Sequence, residues 1–326
     1  MSTRASEMNP MALEALRCPD CTSRLRAASE ELRCQGCGRR IPLVNGVVKF
    51  VRDRDLEDDA AARHTRASFG YEWTHFDDWR PSGTANFDDY FAHFDLSSLQ
   101  GGLVLDAGCG MGRHTRHVAE FAAGVVALDF SGAIDAAARN TADQPNVQCV
   151  QGDLRRLPLA AESFDFVYSM GVLHHIGDTA GTLRGLVRVL KPGGRLRVYL
   201  YWKREGLAAA VLSLVTLARK LTIRLPFPVL RAGCWGLSVL LTVGVVGPYR
   251  LLKRFGVDVK DNWPLSVYMK YPFNVLYNDQ FDRFSAPIEK RYSPDEVRTL
   301  MAAMGLRNVE VHPRFGWIAD GVKPGA

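Results

Sequence analysis

Short apolar runs alternate with helical patterns between residues 101 and 202, and this alternation is the clearest structural signal in the sequence. The apolar runs fall at residues 103–105, 125–128, 147–150, 164–169 and 195–201. Strands that are separated by helices pair in parallel and connect through right-handed crossovers. The pattern therefore predicts an α/β fold with a doubly wound, mostly parallel sheet, whose ligands would sit at the carboxyl ends of the strands.

The pattern becomes strongly apolar after this region. Residues 203–290 are predicted to form a helical apolar insert, and Ala232 to Tyr249 within it carry no charged side chain, which is close to the shortest run that spans a membrane. A spanning helix would separate the strands that follow from the sheet they complete. We therefore predict helices over residues 206–256 that cap the ligand pocket at the end of the strands. Residues 291–326 are predicted to add the last helix and an antiparallel hairpin at the edge of the sheet.

The segments before the sheet have less regular patterns. Residues 1–15 are polar and lack the apolar core of a signal peptide, so we expect a disordered tail and a cytoplasmic protein. Residues 52–100 open with alternating charges and continue with aromatic residues, which indicates a linker followed by a helical lid. The formal net charge of +6 is a mild basic excess without a concentrated run of Lys and Arg, so no nucleic-acid partner is expected. Nothing in the pattern specifies an oligomeric state.

Four of the seven cysteines form two CxxC pairs near the N-terminus: Cys18, Cys21, Cys34 and Cys37. Four thiolates complete a tetrahedral zinc site without an open position, so the expected site is structural. A redox pair and an iron–sulfur cluster are the alternatives. Residues 16–51 resemble the small zinc-ribbon domains of the Trm112-like type, a resemblance that predicts metal and not activity. We expect this ribbon to be a separate domain, so that the loss of one thiolate unfolds the ribbon and leaves the core folded.

A glycine-rich loop follows the first predicted strand of the sheet and opens a helix, with glycines at positions 108, 110 and 112. Such a loop lets the backbone turn sharply and approach a ligand closely. NAD-binding folds have a related loop, and a tight turn can use glycines without any ligand. Acidic residues follow three of the strands. Asp106 could reach a ligand ammonium, directly or through water. Asp129 could accept hydrogen bonds from two ribose hydroxyls, and Asp153 could accept from an adenine amino group. Each acid alone could instead be a helix cap.

Taken in order, these motifs resemble the class I S-adenosylmethionine-dependent methyltransferases, particularly the group with small-molecule and lipid substrates. The resemblance covers residues 101–202 and implies a Rossmann-like core with S-adenosylmethionine as methyl donor. In similar enzymes an N-terminal aromatic segment, here containing Tyr71 and Trp73, folds over the cofactor; the alternative is an aromatic helix that packs on the sheet. The cofactor-binding residues that the resemblance implies are Asp106, Gly108, Gly110, Gly112, Asp129, Asp153, Leu154, Met170 and Tyr71.

The acceptor side is less defined by sequence. His174 and His175 follow the fourth strand, near the expected position of the methyl group, and either could transfer a proton, with His174 slightly favoured. The alternative is that both histidines are wall residues. We expect a small, lipophilic acceptor. A non-catalytic scaffold or activator of a partner protein is the second hypothesis, and the intact acids at positions 106, 129 and 153 disfavour it.

Basic residues flank the apolar insert. They are Arg219, Lys220, Arg224, Arg231, Arg250, Lys253 and Arg254. A helix pair with such flanks is typical of proteins that lie on an anionic membrane surface. We therefore expect residues 206–256 to form either a buried cap or dimer face, or a shallow contact with the inner membrane surface.

Overall fold

The computed structural model describes residues 8–57, 59–76, 83–260 and 263–325. The strands are β1 (Leu25–Ala28), β2 (Glu31–Cys34), β3 (Arg40–Val44), β4 (Val47–Lys49), β5 (Leu103–Ala107), β6 (Gly124–Asp129), β7 (Val147–Gln151), β8 (Phe164–Met170), β9 (Leu190–Leu200), β10 (Arg307–Arg314) and β11 (Gly316–Val322). The α-helices are α1 (Pro10–Ala15), α2 (Ala60–His75), α3 (Gly83–Phe91), α4 (Arg113–Ala119), α5 (Ala133–Asn140), α6 (Thr179–Val189), α7 (Gly206–Thr222), α8 (Phe227–Leu241), α9 (Gly247–Arg254), α10 (Phe273–Ser285) and α11 (Pro294–Ala303).

Seven strands form the predicted sheet in the order β7-β6-β5-β8-β9-β11-β10. The first five of these strands pair in parallel, and β11 pairs antiparallel with both β9 and β10. Every residue of β5 is buried, as expected for a central strand covered on both faces. The α/β prediction, including the antiparallel hairpin at the edge, is confirmed. The strand order reverses between β5 and β6 on one side and β8 on the other, which places the switch point at the end of β5.

The cysteine-rich segment does not stand apart from this sheet. Its strands β1 to β4 form an antiparallel meander, and β4 then pairs in parallel with β7, with Val48 opposite Val150 and Lys49 opposite Gln151. The backbone N–H of Phe50 extends the pairing by donating to Gln151 O at 3.0 Å. The result is one eleven-stranded sheet. The prediction of a separate ribbon domain is corrected, because an exposed β7 edge accepts the last ribbon strand.

The predicted disordered tail at residues 1–15 is also corrected for its second half. Pro10–Ala15 form α1, which begins after Asn9, whose side-chain oxygen accepts from the N–H of Met11 at 2.9 Å. Ala12 and Ala15 are fully or almost fully buried. Small side chains allow this short helix to pack closely, a property that composition alone does not reveal. Residues 1–7 of the predicted tail lie outside the described residues.

The apolar insert is helical, as predicted. After α7, the chain forms a continuous helix over Phe227–Arg254, in which a π-helical turn at Thr242–Val246 joins α8 to α9. This 28-residue helix is long and apolar enough to cross a membrane, by length and composition alone. A fourth helix, α10, packs against α7 and α8 on one side and α2 on the other. The insert is therefore anchored to the core through α10.

Candidate functional site

The glycine loop lies at the switch point of the sheet. Gly108, Gly110 and Gly112 all have positive φ, at 90°, 54° and 82°, which side-chain-bearing residues rarely adopt. A Cβ atom on Gly108 would lie 2.3 Å from Cγ2 of Val172, so no side chain fits there. A Cβ on Gly110 would lie 3.4 Å from Nε1 of Trp73. The loop backbone is thus closely covered by neighbours and open only toward the cavity beside it.

A cavity of about 500 Å³ runs from this loop along the carboxyl ends of the strands. Its wall includes the predicted site residues Gly108, Gly110, Asp129, Asp153, Leu154, Met170 and His175. Four predicted residues do not line it: Tyr71, Asp106, Gly112 and His174. The size is within the range of small-molecule and cofactor sites. The structure therefore brings most of the predicted residues together around one cavity.

Asp129 stands at the end of β6 and organises the loop. Its Oδ2 accepts from the N–H of Gly110 at 2.9 Å, and its Oδ1 accepts from the N–H and hydroxyl of Ser131 at 2.8 and 2.7 Å. A carboxylate has about four lone-pair positions, so it can accept further hydrogen bonds from a ligand. Asp153 follows β7 and forms a bidentate ion pair with Arg155, with the shortest contact at 2.7 Å.

Asp106 lies behind the loop. Its Oδ2 accepts from the hydroxyls of Thr115 at 2.6 Å and Tyr168 at 2.7 Å, which ties β5 to α4 and β8. Burial raises the pKa of Asp106 to about 7, although the two hydroxyl donors favour its ionised form. Because Asp106 does not line the cavity, a direct contact with a ligand ammonium is not supported, and its observed role is to hold the loop.

The aromatic lid forms, but with a different residue facing the loop. Tyr71 stacks on His75 with ring centroids 3.8 Å apart and belongs to a cluster with Phe281, away from the cavity. Trp73 instead lies against Gly110, and the guanidinium of Arg113 sits 5.0 Å from its ring centroid. Tyr71 and Trp73 are two positions apart on α2, so their side chains lie on different faces of this helix. The predicted contact of Tyr71 is therefore corrected to Trp73.

The two histidines have different environments. His174 is fully buried outside the cavity, where its ring stacks on Tyr201 at 3.8 Å, and burial lowers its pKa well below the ordinary value. His175 lines the cavity, and its Nδ1–H donates to Ile288 O at 2.7 Å. This contact leaves Nε2 of a neutral His175 as an acceptor, 3.6 Å from Oδ1 of Asp282. The preference for His174 is reversed, because only His175 can meet a ligand.

Sequence reasoning missed the acidic residues of the cavity wall. Glu72 on α2 and Asn278, Asp279 and Asp282 on α10 all line the cavity. Three of them share one face of α10, as positions 278, 279 and 282 do on any helix. The signal was available as an i, i+3 pair of acids in an aromatic helix. This pair could not be assigned to a site from the sequence, because the sequence does not show that α10 covers the cavity.

The insert contributes to the site differently from the prediction. No residue between 206 and 256 that the structure describes lines the cavity, and the wall on this side is formed by α10. The prediction that residues 206–256 cover the acceptor pocket is therefore wrong. The reason is that α10 lies between these helices and the sheet, with Phe281 packed against Leu230 and Cys234 of α8.

The four N-terminal cysteines converge, as predicted. Their sulfur atoms all lie within 4.8 Å of one another, with Cys18 Sγ 3.7 Å from Cys37 Sγ and Cys21 Sγ 3.3 Å from Cys34 Sγ. Zinc–sulfur bonds of about 2.3 Å in a tetrahedron place sulfur atoms roughly 3.8 Å apart. All four thiols are free of disulfides. The donor set and spacing are compatible with a structural zinc ion.

The comparison with known families agrees with the site. Residues 105–198 match the family described as "Methyltransferase domain". Over this segment the chain is similar to methyltransferases. The match includes the glycine loop, Asp129, Asp153, Met170 and His175, so the enzyme class predicted from the motifs is confirmed at the level of the domain. The family implies S-adenosylmethionine as methyl donor, and the open loop backbone with the cavity beside it fits that cofactor.

The curated relatives share this domain and not their full length. A demethylmenaquinone methyltransferase of Corynebacterium kroppenstedtii is 41% identical over 32% of this chain and 43% of its own. A sterol 24-C-methyltransferase of Aspergillus fumigatus is 33% identical over 35% of this chain and 32% of its own. The match thus spans less than half of either relative.

Solved structures with a similar arrangement have low scores. A complex of the Haloferax volcanii Trm112 methyltransferase activator with a methyltransferase has a TM-score of 0.47 at 17% identity, covering 80% of this chain and 98% of that one. Human N-acetylserotonin methyltransferase in complex with S-adenosylmethionine has a TM-score of 0.49 at 15% identity, covering 83% of this chain and 61% of that one. The fold assignment therefore rests on the strand order described above.

Proposed function

We propose that this protein is an S-adenosylmethionine-dependent methyltransferase that acts on a small organic acceptor with an apolar part. The observation that carries the proposal is one continuous cavity whose wall includes the glycine loop, Asp129, Tyr201 and residues of α10. Such a cavity has room for a cofactor and a small acceptor side by side. The activities of the two relatives, a demethylmenaquinone methyltransferase and a sterol 24-C-methyltransferase, support a small-molecule acceptor.

The loop end of the cavity is proposed to hold the cofactor. Gly108 and Gly110 would allow the methionine part to approach the backbone, and Asp129 would accept from the ribose hydroxyls. Asp153, Leu154 and Met170 would surround the adenine, while Trp73 would cover the site from α2. Asp106 and Gly112 would act indirectly, by holding the loop and by starting α4.

S-adenosylmethionine supplies an activated methyl group on a sulfonium centre, so alignment and exclusion of water can provide much of the rate acceleration. In this chain α2 and α10 close the cavity over the strand ends and would exclude water. Where the acceptor must lose a proton, His175 is the proposed base, because this residue lines the cavity and the bond to Ile288 O leaves its Nε2 as an acceptor. His174 has no such role in this proposal.

The test is calorimetric binding of S-adenosylhomocysteine, followed by incubation of metabolite extracts with protein and labelled donor. We expect micromolar binding and a mass gain of one methyl group in an acceptor fraction. The absence of binding would contradict the proposal. Binding without any methylated product from extract would instead favour the second hypothesis, a scaffold or activator of a partner protein.

The proposed location is the cytoplasmic face of an anionic membrane, contacted through the exposed side of the α8–α9 helix. Only a narrow stripe of this helix is buried, at Leu230, Cys234 and Ser238 in α8 and at Val246. Large apolar side chains are exposed on the other sides, including Leu240 at 70%, Val243 at 71% and Phe255 at 76%, just beyond α9. An exposed apolar surface of this kind marks a binding or membrane site.

Part of the predicted basic flank is not available for lipid head groups. Arg219 is buried and pairs with Glu289 at 2.5 Å, and Arg231 lies 5.7 Å from the Phe76 ring centroid. Arg250 donates to two backbone oxygens, at Tyr268 and Tyr271. The exposed bases that remain are Lys220, Arg224, Lys253 and Arg254. Near an anionic surface each contributes roughly 1 kcal/mol.

Liposome flotation tests the membrane contact. The wild-type protein should float with vesicles of phosphatidylcholine and phosphatidylglycerol more than with phosphatidylcholine alone. Lys253→Glu with Arg254→Glu should reduce recovery, whereas Arg298→Glu, an exposed base on α11, is the matched control and should not. Equal recovery of all proteins in the soluble fraction would exclude this location.

For the cysteine-rich segment we propose one zinc ion held by Cys18, Cys21, Cys34 and Cys37 in a Trm112-like ribbon. The backbone N–H groups of Gly36 and Cys37 both point at Cys34 Sγ at 3.4 Å, an arrangement that stabilises a thiolate. Elemental analysis should give one zinc per chain, and iron in its place would contradict the proposal.

A further inference from the structure

The part of the cavity wall formed by α2 and α10 contains an unusual concentration of acceptor oxygens. Glu72 on α2 lies within hydrogen-bonding reach of the Asn278 side chain on α10, and Asp279 and Asp282 of α10 line the same cavity. Tyr268 donates to Asp279 at 2.7 Å, and Tyr201 donates to Oδ2 of Asp282 at 3.0 Å. Three acids thus meet in one small volume, although the helices that carry them are far apart in sequence.

Several of these oxygens have no hydrogen-bond partner among the described residues. They are Oε2 of Glu72, Oδ1 of Asn278 and Oδ1 of Asp282. Glu72 is only 1% exposed, so water in the bulk does not satisfy it. A buried acceptor without a donor costs about 1–3 kcal/mol, and more when it is charged. A ligand that donates hydrogen bonds to these oxygens would remove this cost when it binds.

Electrostatics favour a cationic partner at this position. Burial raises the pKa of Glu72 well above its ordinary value, and the nearby Asp282 carboxylate raises it further. Burial likewise raises the pKa of Asp279, against the opposing effect of the Tyr268 hydroxyl. Two arginines face the group: Arg283 lies close to Asp279, and Arg113 stands over Trp73 nearer the loop. A cation bound beside these acids would offset the burial and mutual repulsion that disfavour their ionised forms, and neither arginine has an ion pair with Glu72 among the described contacts.

We propose that Glu72, Asn278 and Asp282 bind the protonated amine of the methyl acceptor. An ammonium group carries three N–H donors, which match three unpartnered oxygens, and its charge favours the ionised forms of the acids. A carboxylate or phosphate at this place would be repelled, and a neutral alcohol could satisfy at most one of the oxygens with its single donor. The inference rests on the proposed methyltransferase function and names the chemical class of its acceptor.

Methyl transfer to this nitrogen is balanced by the loss of one proton. The amine must first give up a proton to expose its lone pair, and the acids around it or Nε2 of His175 can accept that proton. The nitrogen then forms the bond to the methyl carbon as the carbon–sulfur bond breaks, and the electron pair of that bond stays on sulfur. His175 Nε2 lies 3.6 Å from Asp282 Oδ1, so the two groups are close enough to share the proton after a small movement.

The experiment compares three probes with one chain and different head groups: octylamine, octanol and octanoate. Binding of each is measured by calorimetry to protein saturated with S-adenosylhomocysteine. We expect octylamine to bind at least tenfold more tightly than octanol and octanoate. Glu72→Gln, which keeps the shape and removes the charge, should weaken octylamine binding at least tenfold. Glu310→Gln, an exposed acid on β10, is the matched control and should leave it unchanged.

Three results would overturn the inference. The first is octanoate or octanol binding as tightly as octylamine, and the second is octylamine binding equally to wild type and Glu72→Gln. The third is an equal loss of S-adenosylhomocysteine affinity in Glu72→Gln, which would place the cofactor's own ammonium at these oxygens. The methyltransferase proposal fails separately, by the absence of S-adenosylhomocysteine binding to the wild type.

Discussion

Replacing Cys34 with serine should destabilise the methyltransferase domain and not only the ribbon. Cys34 Sγ lies 3.3 Å from Cys21 Sγ, and serine is a poor ligand for zinc in a four-thiolate site. Small ribbons derive their folding free energy from the metal, so the variant should lose the ion and unfold the ribbon. Because β4 pairs with β7, unfolding also removes one edge of the main sheet.

The size of the effect follows from the side chains that β4 and the next residue bury. Val47 and Val48 are 0% exposed and Phe50 is 3% exposed, and Val47 packs with Cys109 of the glycine loop. Each such side chain contributes about 1.5–3 kcal/mol through burial, so losing all three costs the core on the order of 5 kcal/mol. For a domain of this size the midpoint of thermal unfolding should fall by roughly 10–20 °C.

Differential scanning calorimetry and a colorimetric zinc assay measure the two parts of this prediction. Wild-type protein treated with a chelator should resemble Cys34→Ser, and both should bind S-adenosylhomocysteine more weakly because the loop contact of Val47 is lost. Cys234→Ser is the control, since this buried thiol lies on α8 outside the ribbon and should keep its zinc. A zinc-free Cys34→Ser protein whose core melts within about 3 °C of the wild type would refute the coupling.

Three further variants test the site. Asp129→Ala should weaken S-adenosylhomocysteine binding by about 2 kcal/mol in calorimetry, because ribose donors and the Gly110 N–H lose their acceptor; equal affinity would contradict the site. Trp73→Ala should weaken the same binding about tenfold, while the exposed Trp235→Ala should not, and identical losses would remove the lid assignment. Between pH 4 and 7 the native state should hold a proton on Asp106 that the unfolded chain releases, so this group should lower the free energy of unfolding by up to about 4 kcal/mol as pH rises. Asp106→Asn should flatten that part of the urea-unfolding profile, and an unchanged slope would show that Asp106 is ionised in the native state.

The features that sequence could predict are those that depend on local pattern. The five parallel strands followed from apolar runs between helices, and the glycine loop followed from three residues that need positive φ. The last helix, α11, followed from a local pattern too, because it begins after Ser293, whose Oγ accepts from the N–H of Glu296 at 3.1 Å. In each case residues that are close in sequence determine the conformation, so the local sequence is sufficient to predict it.

What could not be predicted depends on contacts between distant segments. The pairing of β4 with β7 requires knowing which sheet edge is open. The choice between His174 and His175, and between Tyr71 and Trp73, is decided by the direction in which a helix or turn faces. The acids of α10 can be assigned to the site only when the position of this helix over the cavity is known, and no local pattern specifies that position.

The position of α10 connects the two unusual features of this molecule. One side of the helix packs Phe281 against Leu230 and Cys234 of α8, whose other sides expose apolar residues. Its cavity side presents Asn278, Asp279 and Asp282 to the strand ends. The chain leaves β9 at Leu200 and enters α7 at Gly206, so the insert emerges at the rim where the methyl group is expected. The amine head of the proposed acceptor would meet the acids on the cavity side of α10, whereas the apolar surface proposed to contact lipid lies beyond the other side of this helix. The two proposals are therefore independent, and a wholly apolar acceptor would leave three buried oxygens without a donor.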